Sequence, residues 1–258
     1  MRFAIIRFPG SNCDGDVARA LGEGLGQEIQ FVRHDCRDLS GYAGVVLPGG
    51  FAYGDYLRPG ALAARTPVME AVRAFAARGG PVLGICNGFQ ILCEAGLLPG
   101  VLRANTGLRF RCHPVWVRVE NRCALTRDCP PGRVLRLEIA HGEGAYYLPP
   151  GELEGLEARR QVVLRYVDEG GAATMAANPN GSVANIAGVC NEQGNVVGIM
   201  PHPERAVEEW LGSTDGRELL SSWVAAAAAW YGDGGGRQAA WGGRVDHGRG
   251  AGRAAGEG

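Results

Sequence analysis

Gly84-Ile85-Cys86-Asn87-Gly88 is the stretch of this sequence that decides its fold. The apolar run Pro81–Leu83 precedes it, and the helix-like run Phe89–Glu94 follows it. A strand, a glycine-flanked turn with a central nucleophile and then a helix form the pattern of a nucleophile elbow, here with cysteine in place of serine. The flanking glycines are expected because side chains there would clash in the strained turn. The pattern predicts that Cys86 stands at a strand end, where the helix N-terminus favours its thiolate.

A second motif, Met200-Pro201-His202-Pro203-Glu204, supplies candidates for a base and an orienting acid. A thiol nucleophile needs a base, and the base needs a third group that fixes its tautomer. Alone, Cys86 fits a buried structural cysteine and His202 fits a surface-loop histidine. Together the two motifs predict a catalytic triad of Cys86, His202 and Glu204. Its order along the chain differs from that of α/β-hydrolases, in which the acid precedes the histidine.

The apolar runs predict an α/β fold with a second, antiparallel part. In the first part, strands are predicted at 3–8, 28–32, 44–48 and 81–85, and helices at about 15–25 and 66–78. This alternation is typical of a doubly wound, mostly parallel sheet, which binds ligands at the carboxyl ends of its strands. Later strands are predicted at 114–119, 134–139 and 162–167, with a hairpin of 182–190 and 195–200, and a final helix from Ala206 or Ser213 to about Trp230.

The composition indicates one globular domain followed by a tail. The chain has 258 residues, of which 46% are hydrophobic and 21% charged, with a net charge of −1. A single domain is predicted over 1–231. Residues 232–258 are rich in Gly, Ala and Arg without periodicity, so a disordered tail is predicted there.

Several classes of function are disfavoured by the same composition. No apolar run approaches the roughly 18 residues of a membrane span, and the near-neutral charge gives no reason to expect nucleic acid. The eight cysteines lack paired spacing, which suits a reducing cytoplasm, and no zinc-site spacing occurs, so no metal site is predicted. All 26 basic residues are arginine. Without lysine, neither a Walker A phosphate loop nor a Schiff-base lysine is possible.

Three further segments carry candidate binding groups. Gly49 and Gly50 close the predicted strand at 44–48, and their N–H groups could bind an oxyanion together with that of Asn87; the alternative is a plain glycine turn. Gln90 follows Cys86 by one helical turn and lies on the same face, where it could bind a polar substrate or simply be a polar helix residue. The segment His141-Gly142-Glu143 follows a predicted strand and could line the pocket or form a solvated loop.

These motifs resemble those of the class I, or triad, glutamine amidotransferases. The resemblance rests on Gly84–Gln90 and Pro201–Glu204, and the segments Arg7–Asp14, Gly49–Gly60 and Ala140–Gly144 are similar to the glutaminase subunits of de novo purine biosynthesis. It implies a flavodoxin-like fold in which Cys86 forms a glutamyl thioester, His202 shuttles the proton and Glu204 orients it. It further implies oxyanion groups at Gly50 and Asn87, and glutamine-binding residues Gly49, Phe51, Gln90, His141, Gly142 and Glu143.

The resemblance also implies a division of labour between chains. Ammonia would pass to a separate synthetase subunit that uses ATP and Mg²⁺ to convert formylglycinamide ribonucleotide into formylglycinamidine ribonucleotide, with a small third subunit bridging the two. This chain itself would need no cofactor and would act in the cytoplasm. Two alternatives stay open: a glutaminase that serves a different synthetase, and a non-catalytic protein of the same architecture in which Cys86 is a redox sensor.

Overall fold

The computed structural model describes residues 1–235. The strands are β1 (Arg2–Arg7), β2 (Glu28–Arg33), β3 (Gly44–Leu47), β4 (Val82–Ile85), β5 (Val101–Arg103), β6 (Arg111–Val119), β7 (Val134–His141), β8 (Ala145–Tyr147), β9 (Val162–Val167), β10 (Ile186–Cys190) and β11 (Val196–Ile199). The helices are α1 (Asp14–Gly22), α2 (Pro67–Ala77), α3 (Asn87–Glu94), α4 (Glu152–Ala158) and α5 (Asp215–Trp230).

Nine of these strands form one mixed sheet in the order β2-β1-β3-β4-β11-β10-β9-β6-β7. The strands from β2 to β11 are parallel to one another, and the remaining pairings, from β11–β10 to β6–β7, are antiparallel. The predicted α/β class, with an antiparallel portion in the second half, is therefore confirmed. Both parts belong to the same sheet, because β11 joins the parallel strands through β4.

The parallel centre of the sheet is buried on both faces. Every residue of β3 and β4 is buried, as expected for strands that helices cover on two sides. On one face, Trp223 of α5 lies against Phe3 with ring centroids 5.3 Å apart. A Cβ at Gly44 would lie only 2.8 Å from the Trp223 ring. The glycine at the start of β3 thus lets the C-terminal helix pack closely on the sheet.

The structure departs from the predicted elements mainly at their ends. Helix α1 ends at Gly22, and the last helix begins at Asp215 rather than at either predicted start. The stretch 183–185, predicted as strand, is a 3-10 turn in which Ala184 has a φ of 47°. Helix α4 and the two-stranded sheet of β5 and β8 were not predicted, because such short elements carry too little periodicity to detect.

The beginning of the predicted tail also has structure. Residues Tyr231–Gly235 form a π-helical turn that continues α5 into the first residues of the predicted tail. The rest of that prediction, 236–258, lies outside the described residues. None of the helices described is long and apolar enough to cross a membrane.

Replacing Gly88 by alanine is expected to lower the free energy of unfolding by about 1–3 kcal/mol, the usual cost of overpacking. A Cβ at Gly88 would meet the Leu47 carbonyl oxygen at 1.9 Å, so α3 would have to move away from β3. Urea denaturation measures the change. Gly15→Ala is the matched control, since nothing lies within 4 Å of a Cβ there. Equal stabilities of the two variants would contradict the close packing of the elbow.

Candidate active site

Cys86 lies at the turn between β4 and α3 in a strained backbone conformation. Its φ is 52° and its ψ is −104°, a region that costs of order 1–3 kcal/mol for a residue with a side chain. Gly84 allows the turn, because a Cβ there would lie 2.7 Å from the carbonyl oxygen of Gly88. The Cys86 N–H donates to the Ile199 carbonyl at 2.8 Å, which fixes the elbow to β11. The thiol is 5% exposed and lines a pocket of about 330 Å³.

His202 and Glu204 reach Cys86 because β11 is the parallel neighbour of β4. Their turn follows β11, and the His202 N–H donates to the Glu138 carbonyl of β7 at 2.8 Å. The Nδ1 of His202 lies 2.7 Å from the Glu204 Oε1. Both residues are buried: His202 is 1% exposed and Glu204 is 3% exposed. Among the described residues, neither the Nε2 of His202 nor the Oε2 of Glu204 has a hydrogen-bond partner.

The surroundings of His202 make its imidazole a strong proton acceptor. Burial alone would lower the pKa of His202, but the Glu204 carboxylate, together with the neighbouring sulfur atoms of Cys13 and Cys86, holds the pKa well above its ordinary value. A carboxylate bonded to one ring nitrogen leaves the other free to exchange a proton with a thiol. The structure thus brings the three predicted triad residues together in the arrangement of nucleophile, base and orienting acid.

The two predicted oxyanion groups follow the carboxyl ends of β3 and β4, which are adjacent parallel strands. Asn87 is the first residue of α3, so its N–H has no acceptor within the helix. Gly50 follows β3 with a φ of 141°, and in the described part of the chain its N–H has no backbone acceptor. The N–H of Phe51, in contrast, donates to the Gly10 carbonyl at 2.9 Å. In the described part of the chain, Gly50 and Asn87 thus both have N–H groups without a backbone acceptor.

Gly49 and Gly50 have a further reason to lack side chains. A Cβ at Gly49 would lie 2.8 Å from the His202 ring, and one at Gly50 would lie 2.7 Å from the Asn12 nitrogen. The loop after β1 packs directly against this segment, and the N–H of Cys13 donates to the Gly49 carbonyl at 3.2 Å. The position of the glycine pair is thus set by the neighbouring loop.

The predicted glutamine-binding residues surround the same pocket with different kinds of contact. Phe51 forms part of the rim and is 50% exposed. Gln90 lines the pocket, but its amide is already engaged: it accepts from Asn87 at 2.9 Å and donates to the Glu143 carbonyl at 2.7 Å. Gly142 and Glu143 also line the pocket. Gln90 consequently holds the 142–143 segment against α3, while the Glu143 carboxylate is available to a ligand.

His141 is a neutral, buried part of the wall. Burial, with a contribution from the charge of His202, lowers the pKa of His141 to about 4. Its Nδ1 lies 3.1 Å from the Oδ1 of Asn105, which also accepts from the Gly144 N–H. The Asn105 amide in turn donates to the His141 carbonyl at 2.8 Å. His141 therefore shapes the segment that ends β7 rather than supplying a charge.

Other pocket residues had no assigned role in the sequence analysis. They are Asn12, Cys13, Asp55, Pro59, Phe110, Ala140 and Arg205. Asp55 and Cys13 belong to segments on which the family resemblance rests. That resemblance was the only indication in the sequence that they lie near the site. The Arg205 guanidinium donates to the Cys13 Sγ at 3.2 Å and pairs with Asp16 at 3.5 Å.

One cluster in the described part of the chain has ligand atoms close enough for a metal ion. It consists of Cys13, His202 and Glu204, whose ligand atoms lie within 4.8 Å of one another. Two of the three are the base and the acid of the candidate triad. The sequence analysis did not consider this cluster, because its residues are far apart in the chain and match no zinc-site spacing.

Comparison with known proteins gives a consistent assignment. Residues 1–228 match the family model for the CobB/CobQ-like glutamine amidotransferase domain. A phosphoribosylformylglycinamidine synthase subunit PurQ from Thermomicrobium roseum is 58% identical over 223 residues, which cover 86% of this chain and 94% of the relative. The PurQ subunit from Thermus thermophilus is 60% identical over 217 residues, covering 84% and 94%.

Solved structures agree with these sequence relatives. A chain in the structure of PurLQS from Thermotoga maritima has a TM-score of 0.77 and 44% sequence identity, over 87% of this chain and 97% of that chain. A putative GMP synthase protein from Thermoplasma acidophilum, at 16% identity, has a TM-score of 0.63 over 90% of this chain and 96% of its own. The second likeness concerns the fold alone.

Proposed function

The chain belongs to the CobB/CobQ-like glutamine amidotransferase family and, within it, to the PurQ subunits of phosphoribosylformylglycinamidine synthase, and we propose that it hydrolyses glutamine and delivers the ammonia to a synthetase subunit. The observation that carries the proposal is the strained Cys86 beside the buried pair of His202 and Glu204. A redox-sensor role for Cys86 would leave that pair without a purpose.

In the first step, His202 takes the thiol proton and the Cys86 sulfur attacks the carboxamide carbon of glutamine. The raised pKa of His202 makes it an effective acceptor for this proton. The tetrahedral intermediate carries its negative charge on the former carbonyl oxygen. The N–H groups of Gly50 and Asn87 stabilise that oxyanion, and each such donor typically contributes on the order of 10²–10³ in rate.

In the second step, His202 returns the proton to the leaving nitrogen, the C–N bond breaks, and ammonia departs from a glutamyl thioester at Cys86. Water then attacks the thioester with His202 as general base, which releases glutamate and restores the thiol. Glu204 keeps the same ring nitrogen of His202 protonated throughout, because its Oε1 accepts from Nδ1. These steps require no cofactor in this chain.

We assign the ammonia to the conversion of formylglycinamide ribonucleotide into formylglycinamidine ribonucleotide. In this assignment a synthetase subunit uses ATP and Mg²⁺, and a small third subunit bridges the two chains. The Thermotoga maritima neighbour, which is part of a PurLQS structure, supports such an assembly. The cysteines, all present as free thiols, support a cytoplasmic location.

The test is reconstitution with the synthetase and bridging subunits of Thermus thermophilus, whose PurQ subunit is 60% identical. The complete mixture is expected to amidate formylglycinamide ribonucleotide with glutamine as the nitrogen donor. Glutamine hydrolysis by the isolated chain is expected to be slower, because free glutaminase activity would waste glutamine. Product formation that requires added ammonium at every subunit ratio would contradict the proposal.

A further inference from the structure

The lining of the active-site pocket includes two carboxylates that form no ion pair with a described residue. Asp55 and Glu143 both line the pocket together with Cys86. Burial, and then the charge of Glu143, raise the pKa of Asp55 to about 6, while a hydrogen bond from Asn87 works in the opposite direction. The two carboxylates are thus close enough to repel each other, and a positively charged ligand group would relieve that repulsion.

The other charged groups of the pocket do not balance this pair. Among the described side chains that line it, Arg205 carries a permanent positive charge, and it is engaged by Cys13 and Asp16. His202 also lines the pocket and has a raised pKa, but its imidazole is paired with Glu204. His141 is neutral, since its pKa is lowered to about 4, chiefly by burial. The carboxylates of Asp55 and Glu143 are therefore complementary to a cation that arrives with the substrate.

The backbone holds Asp55 at the pocket under strain. Tyr53, Asp55 and Leu57 have φ values of 56°, 54° and 69°, so three non-glycine residues within one loop adopt the left-handed conformation. Each costs of order 1–3 kcal/mol, and such strain concentrates at binding and catalytic sites. The loop leaves Leu57 85% exposed, whereas the Asp55 side chain is half-buried at the pocket.

The side chain of Asn87 connects Asp55 to the groups that act on the carboxamide. Its amide nitrogen donates to Asp55 Oδ1 at 3.3 Å and to Gln90 at 2.9 Å. Its oxygen accepts from the Ala52 N–H at 3.0 Å. Asn87 also supplies the backbone N–H that faces the oxyanion. A ligand bound at Asp55 is therefore held at a fixed position relative to the nucleophile and the oxyanion donors.

We propose that Asp55, assisted by Glu143, binds the α-ammonium group of glutamine and makes the site selective for amides that carry a free α-amino group. This inference rests on the proposed glutaminase function. An ion pair with charge-assisted hydrogen bonds in a partly buried pocket is strong enough to change kcat/KM by roughly 10- to 100-fold. Asp55 acts through substrate position, since it lies apart from the Cys86–His202–Glu204 chemistry.

The experiment compares two substrates in the reconstituted complex: glutamine and glutaramate, which has the same carboxamide and carboxylate but no amino group. The wild-type chain is expected to prefer glutamine. Asp55→Asn is expected to lower kcat/KM for glutamine by roughly 10- to 100-fold and to leave that for glutaramate within about twofold. Glu94→Gln is the matched control, because this carboxylate pairs with Arg58 of the same loop at 2.6 Å but lies outside the pocket.

The outcomes separate the possible roles of Asp55. An equal loss for both substrates in Asp55→Asn would assign the residue a purely structural role and overturn the proposal, as would an unchanged preference for glutamine. If Asp55→Asn does not fold, calorimetric binding of both compounds to the Cys86→Ser variant replaces it, and equal affinities would overturn the proposal. A wild-type complex that hydrolyses neither compound would overturn the glutaminase function itself and this inference with it.

Discussion

Cys86→Ser is expected to abolish glutamine-dependent amidation by the complex while leaving ammonium-dependent amidation intact. A serine hydroxyl is far less acidic than a thiol, and neither the geometry of the elbow nor the raised pKa of His202 compensates for that difference. The loss is expected to be roughly 10⁴-fold or more in kcat for glutamine. Formation of formylglycinamidine ribonucleotide is measured with each nitrogen donor in turn.

The matched control for this variant is Cys112→Ser. Cys112 is exposed on β6, outside the pocket, so the same replacement there is expected to leave both activities unchanged. Unfolding midpoints of the two variants separate chemistry from stability. Glutamine-dependent activity that survives in Cys86→Ser would remove the nucleophile from the proposed mechanism.

Much of the fold could be predicted from local patterns in the sequence. The elbow glycines at 84 and 88 predict the strand–turn–helix unit, and the contacts that a Cβ would make at each position show why no side chain fits. The position of His202 beside Cys86 was harder to predict. Its approach to Cys86 depends on β11 pairing with β4, a pairing of segments far apart in the chain that no local pattern encodes.

The pocket walls were the hardest part of the site to predict. Gln90 was predicted to contact glutamine from its helical spacing, yet its amide is satisfied by Asn87 and by the Glu143 backbone. His141 is likewise held by Asn105, a residue that no motif or pattern in the sequence marks as part of the site. Asp55 received no role because its significance arises from lining the same pocket as Glu143. Such contacts join loops from opposite halves of the sheet, and the hydrophobic periodicity of the sequence does not predict them.

His202→Ala and Glu204→Ala are expected to lower kcat for glutamine by different amounts. Loss of His202 removes the group that moves the proton in both steps, so a fall of roughly 10⁴- to 10⁶-fold is expected. Loss of Glu204 leaves the imidazole in place and removes the acceptor of its Nδ1, so a smaller fall of roughly 10²- to 10⁴-fold is expected. His113→Ala, at an exposed position of β6, is the control.

The order of these two effects tests the roles within the triad. Glu204 is the main group that raises the pKa of His202 against the opposing effect of burial. Without it, the buried imidazole is expected to accept the thiol proton less readily. The rate at which iodoacetamide alkylates Cys86 measures this, and that rate is expected to fall in Glu204→Ala. An unchanged alkylation rate, or near-wild-type turnover in either variant, would show that the 201–204 turn has a structural role only, because a base that neither moves a proton nor responds to its carboxylate partner has no part in the reaction.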